Sequence, residues 1–244
     1  MTAACWSATG SAAVTRVAGL LRSLKGRKWT DRRGNVERVE LAPPLSEAEI
    51  DALAAQWGVP VPADARDVLR VTQAVGPLPL VDWVNFTGTW DRHVLDALFP
   101  YTLPIAADGY GNYWSVDPLP GSDVFGPVFY VCHDPGTVVY QCADVAAFIE
   151  GLLELAEPPH QGPLHRVHEQ EVYAIGTGTE TGMEPEAALA SDDEVLRAFA
   201  ESLPPEVAWI ADMRSARRGE GFVTHDPEEF IRHPSEHIFA RLYV

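Results

Sequence analysis

Apolar residues recur at helical spacing in several stretches of this chain, and they alternate or crowd both faces in the stretches between. Val14, Val17, Leu21 and Leu24 predict a short helix over residues 12–28. Ile50, Leu53, Ala54 and Trp57 mark a second. It opens with Ser46 and Glu49, a capping box in which each side chain satisfies an orphan backbone N–H, and Gly58 and Pro60 close it. Ala65, Val68, Leu69 and Thr72 predict a third helix over about 63–74, ended by Gly76-Pro77. Asp144 is placed to cap a fourth, with Val145, Phe148, Ile149, Leu152 and Leu153 as its stripe. Ser191 and Glu194 repeat the capping box before Leu196, Phe199 and Leu203. Residues 91–99 suggest a helical turn, and Asp226-Pro227-Glu228-Glu229 a helix start.

Strand patterns fill the gaps. Residues 36–41 read as a weak edge strand before Pro43-Pro44, and residues 80–87 alternate. Residues 128–131 are apolar on both faces, as in a covered central strand. Residues 137–142 return after the turn His133-Asp134-Pro135-Gly136. Residues 207–213 and 221–224 are expected to pair with each other, and 237–244 to form a last strand. Residues 158–190 are polar, with Gly176, Gly178 and Gly182 among threonines, and read as a linker.

One stretch organises the middle of the chain. Residues 101–117 read as strand, glycine turn, strand. Pro104 suits a strand start, since it has no N–H for a central ladder position. Asp108-Gly109 and Gly111-Asn112 tolerate the positive φ of a tight turn, and Tyr113, Trp114 and Val116 favour extended backbone. Trp114 and Tyr113 must point to opposite faces, and at least one of them is expected in the core; alternation alone does not say which.

Charge sharpens the functional reading. The net charge is −17, which argues against a surface that neutralises nucleic-acid phosphates and favours a basic partner. It is unevenly spread: residues 1–44 hold eight basic and three acidic groups, so the acidic excess belongs to the body that follows. The 244 residues and 46% apolar content suffice for a buried core. No apolar run approaches a membrane span, and Cys5, Cys132 and Cys142 are too few and too scattered for a disulfide framework, which suggests a reducing, cytoplasmic setting.

No cofactor, metal or catalytic constellation is expected. His160, His165 and His168 fall close together and Cys132-His133 lies near Cys142, but no spacing matches a zinc pattern. There is no GxSxG, and Gly176-Thr177-Gly178 is not a phosphate loop because no strand precedes it. Asp108, Asp117 and Asp134 sit beside turn residues; an enzyme would need Asp108, His133 and Asp134 to converge.

The block from about residue 45 to 156 resembles the SUKH superfamily, which includes yeast cell-wall-synthesis regulators and bacterial immunity proteins. The resemblance rests on Pro62-Ala63-Asp64 leading through Val68-Leu69 to Gly76, and on Pro104 through Asp117. It rests also on Val128 to Val131, Val138-Val139-Tyr140 and the helix after Asp144. Ala65 and Gln73-Ala74-Val75-Gly76 depart from the family pattern. The resemblance implies an α+β fold, a mostly antiparallel sheet flanked by helices, without catalytic residues. It implies an immunity protein that binds and neutralises a cognate toxin, or a regulatory scaffold. The expected organisation is a basic segment (1–44), a SUKH-like domain (45–157), a linker (158–190) and a smaller α+β extension (191–244). The partner expected is a basic toxin, of nuclease or deaminase type. The expected contact face is Asp108, Tyr110, Asn112, Trp114 and Asp117, presented on the turn glycines Gly109 and Gly111.

Overall fold

The structure, a computed structural model, describes residues 8–30, 34–88, 98–178, 181–224 and 229–243, with side chains from residue 16 onward. Helix α1 (Ala8–Leu24) turns its buried Val17, Leu21 and Leu24 to the core and packs across the later helices Ala63–Leu69 and Val145–Ala156. A hairpin of β1 (Lys28–Thr30) and β2 (Val36–Arg38) follows, then the short strand β3 (Glu40–Leu41). The best-signalled helix, α2 (Glu47–Trp57), forms as its caps require: Ser46 and Glu49 bond reciprocally, and Gly58 takes the left-handed C-terminal position at φ 75°.

Helix α3 (Ala63–Leu69) is shorter than the pattern predicts. The Leu69 carbonyl accepts from the Leu45 N–H, and the Thr72 hydroxyl bonds to the Ala42 carbonyl at 2.8 Å, which draws the next residues into β4 (Ala74–Gly76). The strand expected over 80–87 shrinks to β5 (Val84–Asn85), because Leu80 sits at φ 68° and the Leu78 N–H folds back on the Val81 and Asp82 carbonyls. The helical turn expected at 91–99 lies largely outside the described residues, as does most of the helix start at 226–229.

The strand–turn–strand reading holds. β6 (Leu103–Ala107) and β7 (Tyr113–Val116) pair antiparallel, with an irregularity beside Pro104 where the ladder lacks a donor. Next come β8 (Val128–His133), β9 (Gly136–Cys142) and α4 (Val145–Ala156), whose first turn is capped by Asp144 accepting from the Ala147 N–H at 2.7 Å.

The expected linker is instead largely helical and packed. α5 (Pro163–Arg166), a π-helical turn (Val167–Glu171) and α6 (Val172–Gly176) run on without a break, burying Leu164, Val167, Val172 and Ile175 in the main core. Its polarity misled because only four positions face inward. Two glycines admit it: a Cβ at Gly151 would lie 2.1 Å from Leu164, and one at Gly176 would lie 2.4 Å from Pro135. Helices α7 (Pro185–Leu189) and α8 (Glu194–Ser202) follow; α8 is capped by Asp193, which accepts from the Val195 and Leu196 N–H groups, and not by Ser191.

The last strands are β10 (Val207–Asp212), β11 (Gly221–Val223), β12 (Phe230–Arg232) and β13 (Ile238–Leu242). β10 and β11 do not pair with each other. β11 joins β9 at one edge of an eight-stranded antiparallel sheet ordered β11-β9-β8-β7-β6-β5-β4-β3, while β10 joins β13 and β12 in a separate three-stranded sheet.

The period-two alternation explains this layering. Along β8, Val128, Tyr130 and Cys132 face the core under α1–α6, while Phe129 and Val131 face the opposite way. There they meet Phe222 of β11 beside them, and Ala211, Met213 and Phe239 from the smaller sheet. The far face of that sheet, through Ile210, Ile238 and Ala240, packs on α7 and α8. The fold is α+β: helices, large sheet, small sheet, helices.

Candidate functional site

Two carboxylates stand at opposite ends of the β6–β7 hairpin, and each is tied to a distant part of the chain. At the turn, Asp108 Oδ1 accepts from the Tyr110 N–H at 2.8 Å and the Asn112 N–H at 3.2 Å. Its Oδ2 accepts from the Asn112 amide at 2.6 Å and the Tyr130 hydroxyl at 3.3 Å, and faces His168 Nε2 at 2.9 Å. Burial works against the charged carboxylate, but the bonds from Asn112, Tyr110 and His168 outweigh it and hold the Asp108 pKa below the ordinary value. Burial, with the Asp108 charge beside it, pushes the Tyr130 phenol upward.

His168 comes from the π-helical turn. Its ring stacks on Trp114 (centroids 5.9 Å apart) and its Nδ1 faces Glu169 at 2.8 Å. Asn112 extends the network, its Oδ1 accepting from the His133 N–H at 3.0 Å and meeting His133 Nδ1 at 2.8 Å. Gly111 sits at φ 92°, a left-handed conformation that favours glycine.

At the hairpin's other end, Asp117 is fully buried. Its Oδ2 accepts from Arg232 Nη2 at 2.6 Å and His237 Nε2 at 2.8 Å, and its Oδ1 from the Thr102 hydroxyl at 2.9 Å. Arg232 also donates to the Leu98 carbonyl and lies over the rings of Phe99 and Phe239. Desolvation would raise the Asp117 pKa; the His237 bond and the Arg232 charge overcome it, and the net shift is downward. This cluster joins the large sheet to the small one.

The five expected contact residues therefore divide. Trp114 is wholly buried, paired with Tyr130 (ring centroids 4.8 Å) and donating to Gln141 Oε1 at 3.2 Å, so it is the core plug and not a surface anchor. Asp117 is likewise interior, consumed by its cation partners. Asp108 and Asn112 are the turn's internal struts, their polar atoms already engaged. Tyr110 alone of the five presents a large exposed side chain, at 75%. The aromatics were placed correctly in sequence, but alternation could not say that the Trp114 face is the one the helices cover.

Residues beyond the expected five complete this surface. Tyr173 on α6 is 54% exposed, and the Tyr130 phenol feels both it and Asp108. His133, Asp134 and Glu169 are exposed on the neighbouring turn and π-helical segment. Asp108, His133 and Asp134 do not converge: Asp108 and His133 bond opposite ends of the Asn112 amide, and Asp134 is exposed. Among the described residues, no group of His, Cys, Asp and Glu could hold a metal ion. Part of the basic head is spent on the body, Arg16 on Glu150 at 2.8 Å and Arg27 on Glu157.

Comparison with curated proteins and with solved structures gives no match. Comparison with family models matches residues 44–151, from the segment before α2 into α4, to the SMI1 / KNR4 family (SUKH-1). That span contains the capped helix, the β6–β7 hairpin with both carboxylates, and the central strands, and the match supports SUKH superfamily membership for this block of the chain.

Proposed function

We propose that this chain is a protein-binding module that acts as an immunity protein, capturing and neutralising a cognate toxin without itself doing chemistry. The observation that carries the reading is the β6–β7 turn. Asp108, Asn112, His133 and His168 lock it from three elements, and it holds Tyr110 out in solvent. A rigid aromatic presented at low entropic cost is the kind of group that anchors an interface. Tyr173 and the acidic Asp134 and Glu169 border it, and the charge of −17 suits a basic partner such as a nuclease. Among the described residues no helix is long and apolar enough to cross a membrane, and the proposal places the protein in the cytoplasm.

The test is calorimetric titration of the full chain with the toxin encoded by the adjacent gene, with Tyr110→Ala and Tyr173→Ala beside it. A drop of about tenfold or more for Tyr110→Ala, at unchanged melting temperature, supports this face. Unchanged affinity in both variants removes the face, and no binding at all removes the immunity reading. The match to the SMI1 / KNR4 branch favours a second reading, a regulatory scaffold for signalling partners. An adjacent gene that encodes no toxin would point that way.

A further inference from the structure

An open groove of about 500 Å³ lies between α4, the start of α5, the π-helical turn and the loop before β11, lined by Glu154, Gln161, His165, Arg166, Gln170 and Arg218. Its size falls inside the roughly 300–1,000 Å³ of small-molecule sites. In so acidic a chain, two arginines facing one groove need explaining.

Each guanidinium is held from behind. Arg166 Nε lies 3.0 Å from Glu171 Oε1, and Arg218 Nε donates to the Gln141 carbonyl at 3.3 Å. Among the described residues, Arg218 makes no ion pair, so its terminal fork remains open. The walls are pinned as well. The Gly219 N–H donates to the Tyr140 carbonyl, and the Tyr140 N–H to the Glu220 carbonyl. Gly219 itself, at φ 88°, passes so close to Glu171 that a Cβ would lie 2.6 Å from the carboxylate. Leu164, buried against Gly151 of α4, fixes α5 in place. A π-helical insertion in an otherwise regular helix is frequent at functional sites, and here it carries Gln170.

The geometry points to a binding site for an oxyanion carried on a small polar molecule. Arg218 and Arg166 grip the anion through their terminal nitrogens, a planar fork that matches phosphate or carboxylate oxygens. Gln161, Gln170 and His165 offer further hydrogen bonds, and Glu154 on the α4 wall accepts from a hydroxyl or amine at the ligand's other end. Glu171 Oε1 holds the Arg166 guanidinium, while its Oε2 is buried without a hydrogen-bond partner. The proposal does not depend on the proposed partner face.

The experiment is calorimetric titration of the full chain with inorganic phosphate and, in a parallel arm, with succinate. Saturable binding is expected, and whichever anion binds tighter identifies the headgroup as phosphoryl or carboxylate. Arg218→Gln should weaken binding by about tenfold or more, the size of a lost charge-assisted bond. Arg218→Lys, which keeps the charge but loses the fork, should fall between. Arg22→Gln, which removes an equal charge on the exposed side of α1, should change it by less than about twofold. Thermal melts confirm that each variant is folded. No saturable binding of either anion overturns the proposal, as does an Arg22→Gln loss equal to that of Arg218→Gln, which would show only diffuse charge attraction.

Discussion

Replacing Asp117 by asparagine tests the central structural claim, that a buried charge cluster welds the two sheets. The substitution keeps the shape and removes the charge. Arg232, whose side chain is only 7% exposed, is then left as an interior cation with no counter-ion, and His237 loses its anionic acceptor. Breaking a buried pair from one side costs about 3–5 kcal/mol, about a fifth or more of the roughly 5–15 kcal/mol that stabilises an ordinary domain. For a chain of this length, each kcal/mol moves the melting temperature by roughly 2–4 °C, so a fall of about 6–20 °C is expected by calorimetry. Removing both charges, in Asp117→Asn with Arg232→Met, should recover much of the loss, because a well-packed apolar replacement avoids the desolvation cost. The pH dependence supplies a second check. Asp117 has its folded pKa below the unfolded value, so its contribution is full above about pH 4 and is lost as the pH falls through the folded pKa. The variant should lack that part of the acid limb. A loss under about 1 kcal/mol for Asp117→Asn, or a double variant as unstable as the sum of the singles, would refute the reasoning.

Trp114→Ala should cost about 3–5 kcal/mol by denaturant titration, yet leave partner affinity per folded molecule unchanged; a binding loss in the folded fraction would restore Trp114 to the interface. Asp64 runs opposite to Asp117. Burial raises its carboxyl to about 6 despite the N–H bonds from Phe125 and Ala65. Its folded pKa lies above the unfolded one, so the penalty is full at neutral pH and disappears as the pH falls from about 6 toward 4. Asp64→Asn should therefore stabilise by about 1–3 kcal/mol at pH 7 and by almost nothing at pH 4, measured by urea titration at both; equal effects at the two values would remove the Asp64 assignment.

What the chain determines locally is visible in its caps, turns and periods. Ser46 with Glu49, Asp144, Gly58 and the glycines around Tyr110 specify their helix ends and their turn through neighbours a few residues away, so no tertiary information is needed to read them. The two apolar faces of β8 likewise announce a covered central strand. The helix at 163–176 is not legible in the sequence because four buried side chains in a polar stretch make too faint a stripe, and a π-helical turn breaks the period that would reveal it. The pairing of β11 with β9 rather than β10 is a choice between edges that identical strand patterns cannot rank. The site follows the same division. Sequence placed an aromatic and acidic cluster on a glycine turn, but Asp108 meets a histidine 60 residues away and Asp117 an arginine 115 residues away. Which face of the hairpin the helices cover decides that Trp114 is core and leaves Tyr110 in water. That choice belongs to packing between layers, because both faces of β7 are equally good strand.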